Sequence, residues 1–116
     1  MAETDCLFCK IIAGDIPSQK VYEDEVAFAF RDINPQAPVH VLVIPKKHIA
    51  SLDTLTAEDE ATVGHLALVA QGIARDEGIA PGGWRAVFNT GKDAGQTVFH
   101  VHLHVLGGRP LAWPPG

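Results

Sequence analysis

Basic residues are scarce in this 116-residue chain: nine Lys and Arg stand against 14 Asp and Glu, for a formal net charge of -5. A surface that tracks nucleic-acid phosphates needs clustered cations. The only basic pair is Lys46-Lys47, so nucleic acid is excluded as the main partner. Long apolar runs are missing as well. No stretch approaches the roughly 20 residues of a spanning helix, and Met1-Ala2-Glu3-Thr4-Asp5 lacks the basic start of a secretory signal. The expectation is a cytoplasmic protein with no membrane partner. Repeats, low-complexity tracts and linkers are absent, which predicts one domain over residues 1–116. At this length a core buries well over half of the unfolded surface without a disulfide staple. Phosphate-binding glycine signatures are missing too: no G-x-G-x-x-G occurs, and Gly91-Lys92-Asp93 lacks both the spacing and the following hydroxyl of a phosphate loop.

What is present reads as an α+β fold, an antiparallel sheet with one long helix and a short N-terminal helix. Cys6 to Ala13 is the short helix, with Asp5 as N-cap and Gly14 as stop. Val21 to Glu23 and Val26 to Phe30 are strands joined by the acidic turn at Asp24-Glu25, and Val39 to Ile44 is a third, closed by Pro45. The long helix follows Thr56, carries Glu58-Asp59-Glu60 in its positive first turn and runs to Glu77, with Leu66, Val69 and Ile73 as its buried stripe. Strands Trp84 to Asn89 and Val98 to Leu106 follow, separated by a loop from Thr90 to Thr97. Proline and glycine make residues 107–116 an irregular tail.

The informative segment is Phe99-His100-Val101-His102-Leu103-His104-Val105-Leu106. Strand alternation puts Phe99, Val101, Leu103 and Val105 on one face and three imidazoles on the other. Same-face neighbours lie roughly 6.6 Å apart, so adjacent rings can cooperate, whereas His100 and His104, about 13 Å apart, cannot share one metal. A lone histidine on such a strand is usually an exposed polar position. Three in strict alternation point to chemistry: a nucleophile, a proton donor and hydrogen bonds to an anion. A zinc hydratase, with an i, i+2 histidine pair as ligands and a water position left open, is the alternative enzyme.

The chain resembles the histidine-triad (HIT) family, in its branch of Hint-type nucleotide-binding proteins and purine nucleoside phosphoramidases. The resemblance rests on Phe8-Cys9-Lys10-Ile11-Ile12 with Ile16-Pro17, Phe30 to Pro38, His40 to His48, Gly95 to His104, and the Trp113-Pro114-Pro115-Gly116 end. It implies hydrolysis of purine nucleoside 5'-phosphoramidates to a nucleoside monophosphate such as AMP or GMP and an amine. His102 would be the nucleophile that carries a transient nucleotidyl group, its second ring nitrogen donating to a backbone carbonyl. His104 would contact phosphate oxygens and help protonate the amine, and His40 would support the row. Thr97, Asn89 and Gly95 would cradle the phosphate. Asp32 would accept the ribose hydroxyls, and Phe8, Ile16, Phe30 and Ile33 would wall the base. As residues alone, those four hydrophobics are core candidates and Asp32 to Pro35 is a turn. The resemblance also implies a homodimer, its sheets joined through the long helix and a strand edge, with Trp113 reaching the partner's site. A dinucleoside polyphosphate hydrolase and a non-catalytic nucleotide-binding adaptor are the alternatives within this family.

Cys6-Leu7-Phe8-Cys9 has the gap shared by zinc knuckles and redox centres, free buried thiols are the third reading, and the spacing alone does not decide. The resemblance implies structural zinc held by Cys6, Cys9, His48 and His100, a closed site with no catalytic role. His65, on the long helix, is expected to be a surface residue.

Overall fold

A computed structural model describes residues 5–116; Met1–Thr4, most of the segment read for a secretory start, lie outside them. The elements run α1 (Leu7–Ala13), β1 (Lys20–Glu23), β2 (Ala27–Arg31), β3 (Val39–Pro45), two short 3-10 turns (Leu52–Thr54 and Ala57–Asp59), α2 (Glu60–Asp76), β4 (Trp84–Phe88) and β5 (Leu103–Gly107). The five strands form one sheet in the order β1-β2-β3-β5-β4, every neighbouring pair antiparallel. This is the α+β architecture expected of the sequence. Among the described residues no helix is long and apolar enough to cross a membrane.

Alternation along the strands divides the core in two. Ala27, Ala29, Val41, Val43, Leu103 and Val105 pack against α2 through Leu66, Val69, Ala70, Ile73 and Ala74, which include the whole apolar stripe read from the sequence. The other face carries Phe28, Phe30, Leu42 and Ile44 against Phe8, Cys9 and Ile11 of α1. His40 and His104 belong to this second face, because His104 pairs with Leu42 and His40 lies two residues earlier on β3. The small residues on the α2 side let a 17-residue helix approach closely; the wider α1 side, under a seven-residue helix, leaves room for aromatic and imidazole rings.

Three details correct the sequence reading. The N-cap of α1 is Cys6, whose Sγ accepts the Cys9 N–H, and not Asp5; Gly14 ends the helix as expected, in the left-handed conformation at φ 84°. The long helix begins as a 3-10 turn capped by Thr56 and becomes α-helical only at Glu60. The third correction concerns the last strand, which starts at Leu103 instead of Val98. Its register sets Leu103 opposite Val43, so an extension would put Val101 opposite Pro45, a residue with no N–H to offer. Val101 turns away and donates its N–H to the Ile49 carbonyl at 2.7 Å. Phe99, expected on the apolar face, is therefore released from strand alternation and stands 55% exposed. β5 also extends through Gly107, opposite Trp84, so the irregular tail begins at Gly108 and not at Gly107; residues 108–116 hold no helix or strand, and Arg85 of the edge strand β4 donates to the Ala112 carbonyl within them.

Candidate active site and metal cluster

The three histidines read as one row divide between two settings. His104 lies on β5 inside the ladder, while His100 and His102 lie in the irregular stretch before it. Ring centroids of His102 and His104 are 5.0 Å apart, those of His40 and His104 5.2 Å apart. Phe8 of α1 meets the His102 ring edge-on at 5.1 Å and the Phe30 ring at 5.4 Å.

Hydrogen-bond partners fix the tautomers. His102 Nδ1–H donates to the His100 carbonyl at 2.8 Å, which leaves the lone pair on Nε2. The Gln36 backbone N–H donates to His40 Nδ1 at 3.0 Å, so the His40 proton sits on Nε2 and is donated to His104 Nδ1, 2.9 Å away. His104 then carries its own proton on Nε2. The ring of His102, with its lone pair on Nε2, thus neighbours that of His104, with its N–H on Nε2, at 5.0 Å between centroids, neither Nε2 hydrogen-bonded within the described residues. Burial, followed by the neighbouring His102 and His40 charges, lowers the His104 pKa to about 4, and burial, against the opposing pull of Asp32, lowers that of His40. Both rings are neutral near pH 7.

Asp32 closes this end of the site. Its Oδ2 is 3.4 Å from His40 Nε2, and its Oδ1 accepts the Asn34 N–H at 2.9 Å, the turn expected from the sequence. The Arg31 guanidinium beside it grips Glu77 at the end of α2 with two bonds of 2.8 and 3.0 Å. Asp32 and the 99%-exposed Ile33 border an open depression of about 540 Å³ with Pro17, Gln19, Arg31 and Pro35. Asp32, His40 and His104 are close enough to suggest a cation. However, a proton already lies between the two rings, and the Gln36 amide prevents His40 from moving that proton to Nδ1. The trio is a hydrogen-bond relay.

The opposite end is built differently. His100 is fully buried; its Nε2–H donates to the Pro45 carbonyl at 2.8 Å, leaving the Nδ1 lone pair 3.3 Å from Cys6 Sγ, 3.6 Å from Cys9 Sγ and 3.2 Å from His48 Nδ1. Cys9 Sγ is 3.4 Å from His48 Nδ1. A tetrahedron with metal–sulfur and metal–nitrogen bonds near 2.3 and 2.0 Å has edges of about 3.3 to 3.8 Å; these four distances fit such edges, and all four donor atoms lie within 4.8 Å of one another. The two cysteines are not joined by a disulfide. This cluster, Cys6, Cys9, His48 and His100, could hold a metal ion.

Other residues singled out from the sequence distribute unevenly. Phe8 and Phe30 are buried at 4% and 5% exposure beneath the histidines, and Ile16 packs at the margin of the same cluster. Asn89 is half-buried just past β4, Gly95 and Thr97 lie exposed on the loop before His100, and Trp113 stands 81% exposed. His65 is not a bare surface group: its Nε2 lies 2.6 Å from Asp24 Oδ2. One residue escaped the sequence reading. Gln96, 6% exposed, accepts the Gly91 N–H and donates to the carbonyls of Ala50 and Val98, riveting the 91–97 loop to the segment after β3. Only its polar side chain between a glycine and a hydroxyl residue hinted at this, because all its partners are backbone groups.

Comparison with known proteins agrees with this geometry. Residues 13–111 match the HIT domain. The chain is 57% identical over its full length to an uncharacterized HIT-like protein of Synechocystis, covering all of that protein. It is 50% identical to the purine nucleoside phosphoramidase of Escherichia coli K12, over 96% of this chain and 92% of that one. Among solved structures, a HIT family hydrolase from Legionella pneumophila superposes with a TM-score of 0.95 at 49% identity, covering 97% of this chain and all of the other. A histidine triad protein from Clostridium difficile gives 0.94 at 46% identity, with 97% of each chain covered. Sequence motifs, fold and the histidine constellation agree: the chain belongs to the HIT domain family.

Proposed function

We propose that the protein hydrolyses nucleoside 5'-phosphoramidates, preferring purines, by two displacements at phosphorus through a nucleotidyl group on His102. The carrying observation is the 2.8 Å bond from His102 Nδ1–H to the His100 carbonyl, which presents Nε2 as the attacking lone pair beside the Nε2–H of His104. His102 attacks phosphorus, the P–N bond breaks, and the amine departs with a proton taken up from solvent, guided by the hydrogen bond of the neutral His104 Nε2–H. Water then cleaves the His102–phosphorus bond to give the monophosphate and returns that proton. The activity of the E. coli relative supports this reading.

In this reading Asp32 accepts the ribose hydroxyls, Phe8, Ile16, Phe30 and Ile33 wall the base, and Asn89, Gly95 and Thr97 hold the phosphate. Cys6, Cys9, His48 and His100 hold zinc, which contributes stability and takes no part in bond cleavage. Two copies associate through α2 and a sheet edge, with Trp113 contributed across the interface, in the cytoplasm. Light scattering of a micromolar sample gives the mass of two chains; a monomer mass overturns the dimer.

Release of amine from a fluorogenic adenosine 5'-phosphoramidate in zinc-free buffer tests the chemistry. Native protein turns over, and folded His102→Ala loses about a thousandfold or more, as removal of a nucleophile does. Turnover that survives in the variant refutes the mechanism. A folded native protein that binds AMP without turnover is the adaptor instead.

A further inference from the structure

We propose that the Cys6, Cys9, His48 and His100 cluster positions the nucleophile as well as stabilising the fold, with His100 as the positioning residue for His102. The inference rests on His102 being the nucleophile.

The irregular path of residues 98–102 is what gives the cluster this role. Inside a ladder, regular strand hydrogen bonds would hold the carbonyl of His100. Outside it, that carbonyl is placed by local anchors: the Val101 N–H on Ile49, the Gln96 amide on Val98 and the two ring nitrogens of His100 itself. One ring nitrogen donates to Pro45, and the other faces Cys6, Cys9 and His48. The carbonyl so placed accepts His102 Nδ1–H, and that bond decides which His102 nitrogen keeps the attacking lone pair. If the carbonyl rotates away, the Nε2–H tautomer is no longer disfavoured, and in it the nitrogen beside His104 cannot attack.

A second link runs through α1. Phe8, whose ring packs edge-on against both His100 and His102, lies between Cys6 and Cys9. The cap of that helix turn is itself a cluster bond, Cys9 N–H to Cys6 Sγ. Drawing the two sulfurs to His100 therefore sets the aromatic wall against the nucleophile in the same motion. When bound, a cation at this site would hold the four donors at fixed distance; the orientation of His102 is carried by the chain. A displacement of about 1 Å at a reacting atom is enough to cost up to a hundredfold in rate.

The test compares native protein with Cys9→Ser and, as a milder variant, with His48→Gln, which replaces a half-buried donor. Metal content is measured on each, and folding is checked by amide exchange in β3 and β5. Two readouts follow: the His102 tautomer, from long-range ¹H–¹⁵N correlations of the imidazole, and kcat and KM for the adenosine phosphoramidate. A folded variant with a broken cluster is expected to lose the dominant Nδ1–H form and to lower kcat about tenfold or more, with KM within about twofold. A merely structural cluster would leave the tautomer of a folded variant unchanged, and that result overturns the proposal. Should Cys9→Ser not fold, His48→Gln and chelation of folded native protein decide it by the same readouts. If native protein shows no turnover, the phosphoramidase reading fails, and the tautomer still decides whether the cluster orients His102.

Discussion

The two ends of the histidine constellation use the same side chain for opposite purposes, and the position of one proton separates them. At the Cys6/Cys9 end, the Pro45 carbonyl takes the Nε2–H of His100 and turns its lone pair towards two sulfurs and His48. At the Asp32 end, the Gln36 amide takes the Nδ1 lone pair of His40 and turns its proton towards His104. Converging lone pairs suit a cation; a proton between two rings suits a relay. Backbone groups make the choice in both cases, 55 residues away for His100 and four for His40, so the chemistry of an imidazole here is set by which peptide unit lies behind it.

The comparison breaks most visibly if metal is withdrawn. Chelation is expected to cost about 4 kcal/mol for a protein kept with free zinc a thousandfold above its Kd, and Cys9→Ala should lose that stabilisation together with the bound metal. Urea unfolding with and without zinc checks this, and an unchanged midpoint in the variant would remove the metal from the first end. Next in size is Phe8→Ala. Phe8 touches His100, His102 and Phe30 and is 4% exposed, so truncation costs about 3 kcal/mol and disturbs both ends. Guanidinium midpoints measure the loss, and a change under about 1 kcal/mol would mean that the ring is not the shared support.

The smallest effect concerns pH. In the unfolded chain His104 takes up a proton as pH falls below about 6.5, but in the fold burial delays that until about 4. Stability from this group is therefore complete above about pH 6.5 and is lost as pH falls towards 4. His104→Gln should flatten the decline in urea midpoint over that window. His40 and His100, also held neutral by burial, keep a residual slope. An identical slope in variant and native protein would show that His104 carries no proton linkage.

Much of this molecule is legible in its sequence. Leu66, Val69 and Ile73 recur at helical spacing and do form the buried stripe of α2; Gly14 ends α1 as expected; and the cysteine and histidine motifs do bring Cys6, Cys9, His48 and His100 within reach of one another. These features depend on side-chain period, on caps and on motif identity, which are local or lie in the residues themselves. The strand was misread at His100 and His102 because alternation continues through a stretch where the ladder does not, and only the register across β3 reveals that Pro45 is the absent partner. Cys6 and not Asp5 takes the cap for a comparable reason: the Cys6 sulfur is drawn inward by His100, 94 positions away in the chain.

The sequence by itself determined the family, the order of the elements and the identity of the groups available for chemistry, since these follow from periodicity and motif. Tertiary structure alone decided which nitrogen of His40, His100, His102 and His104 bears its proton. That choice depends on the carbonyls of Pro45 and His100 and the amide of Gln36, groups every residue possesses and no sequence pattern distinguishes until the chain has folded around them.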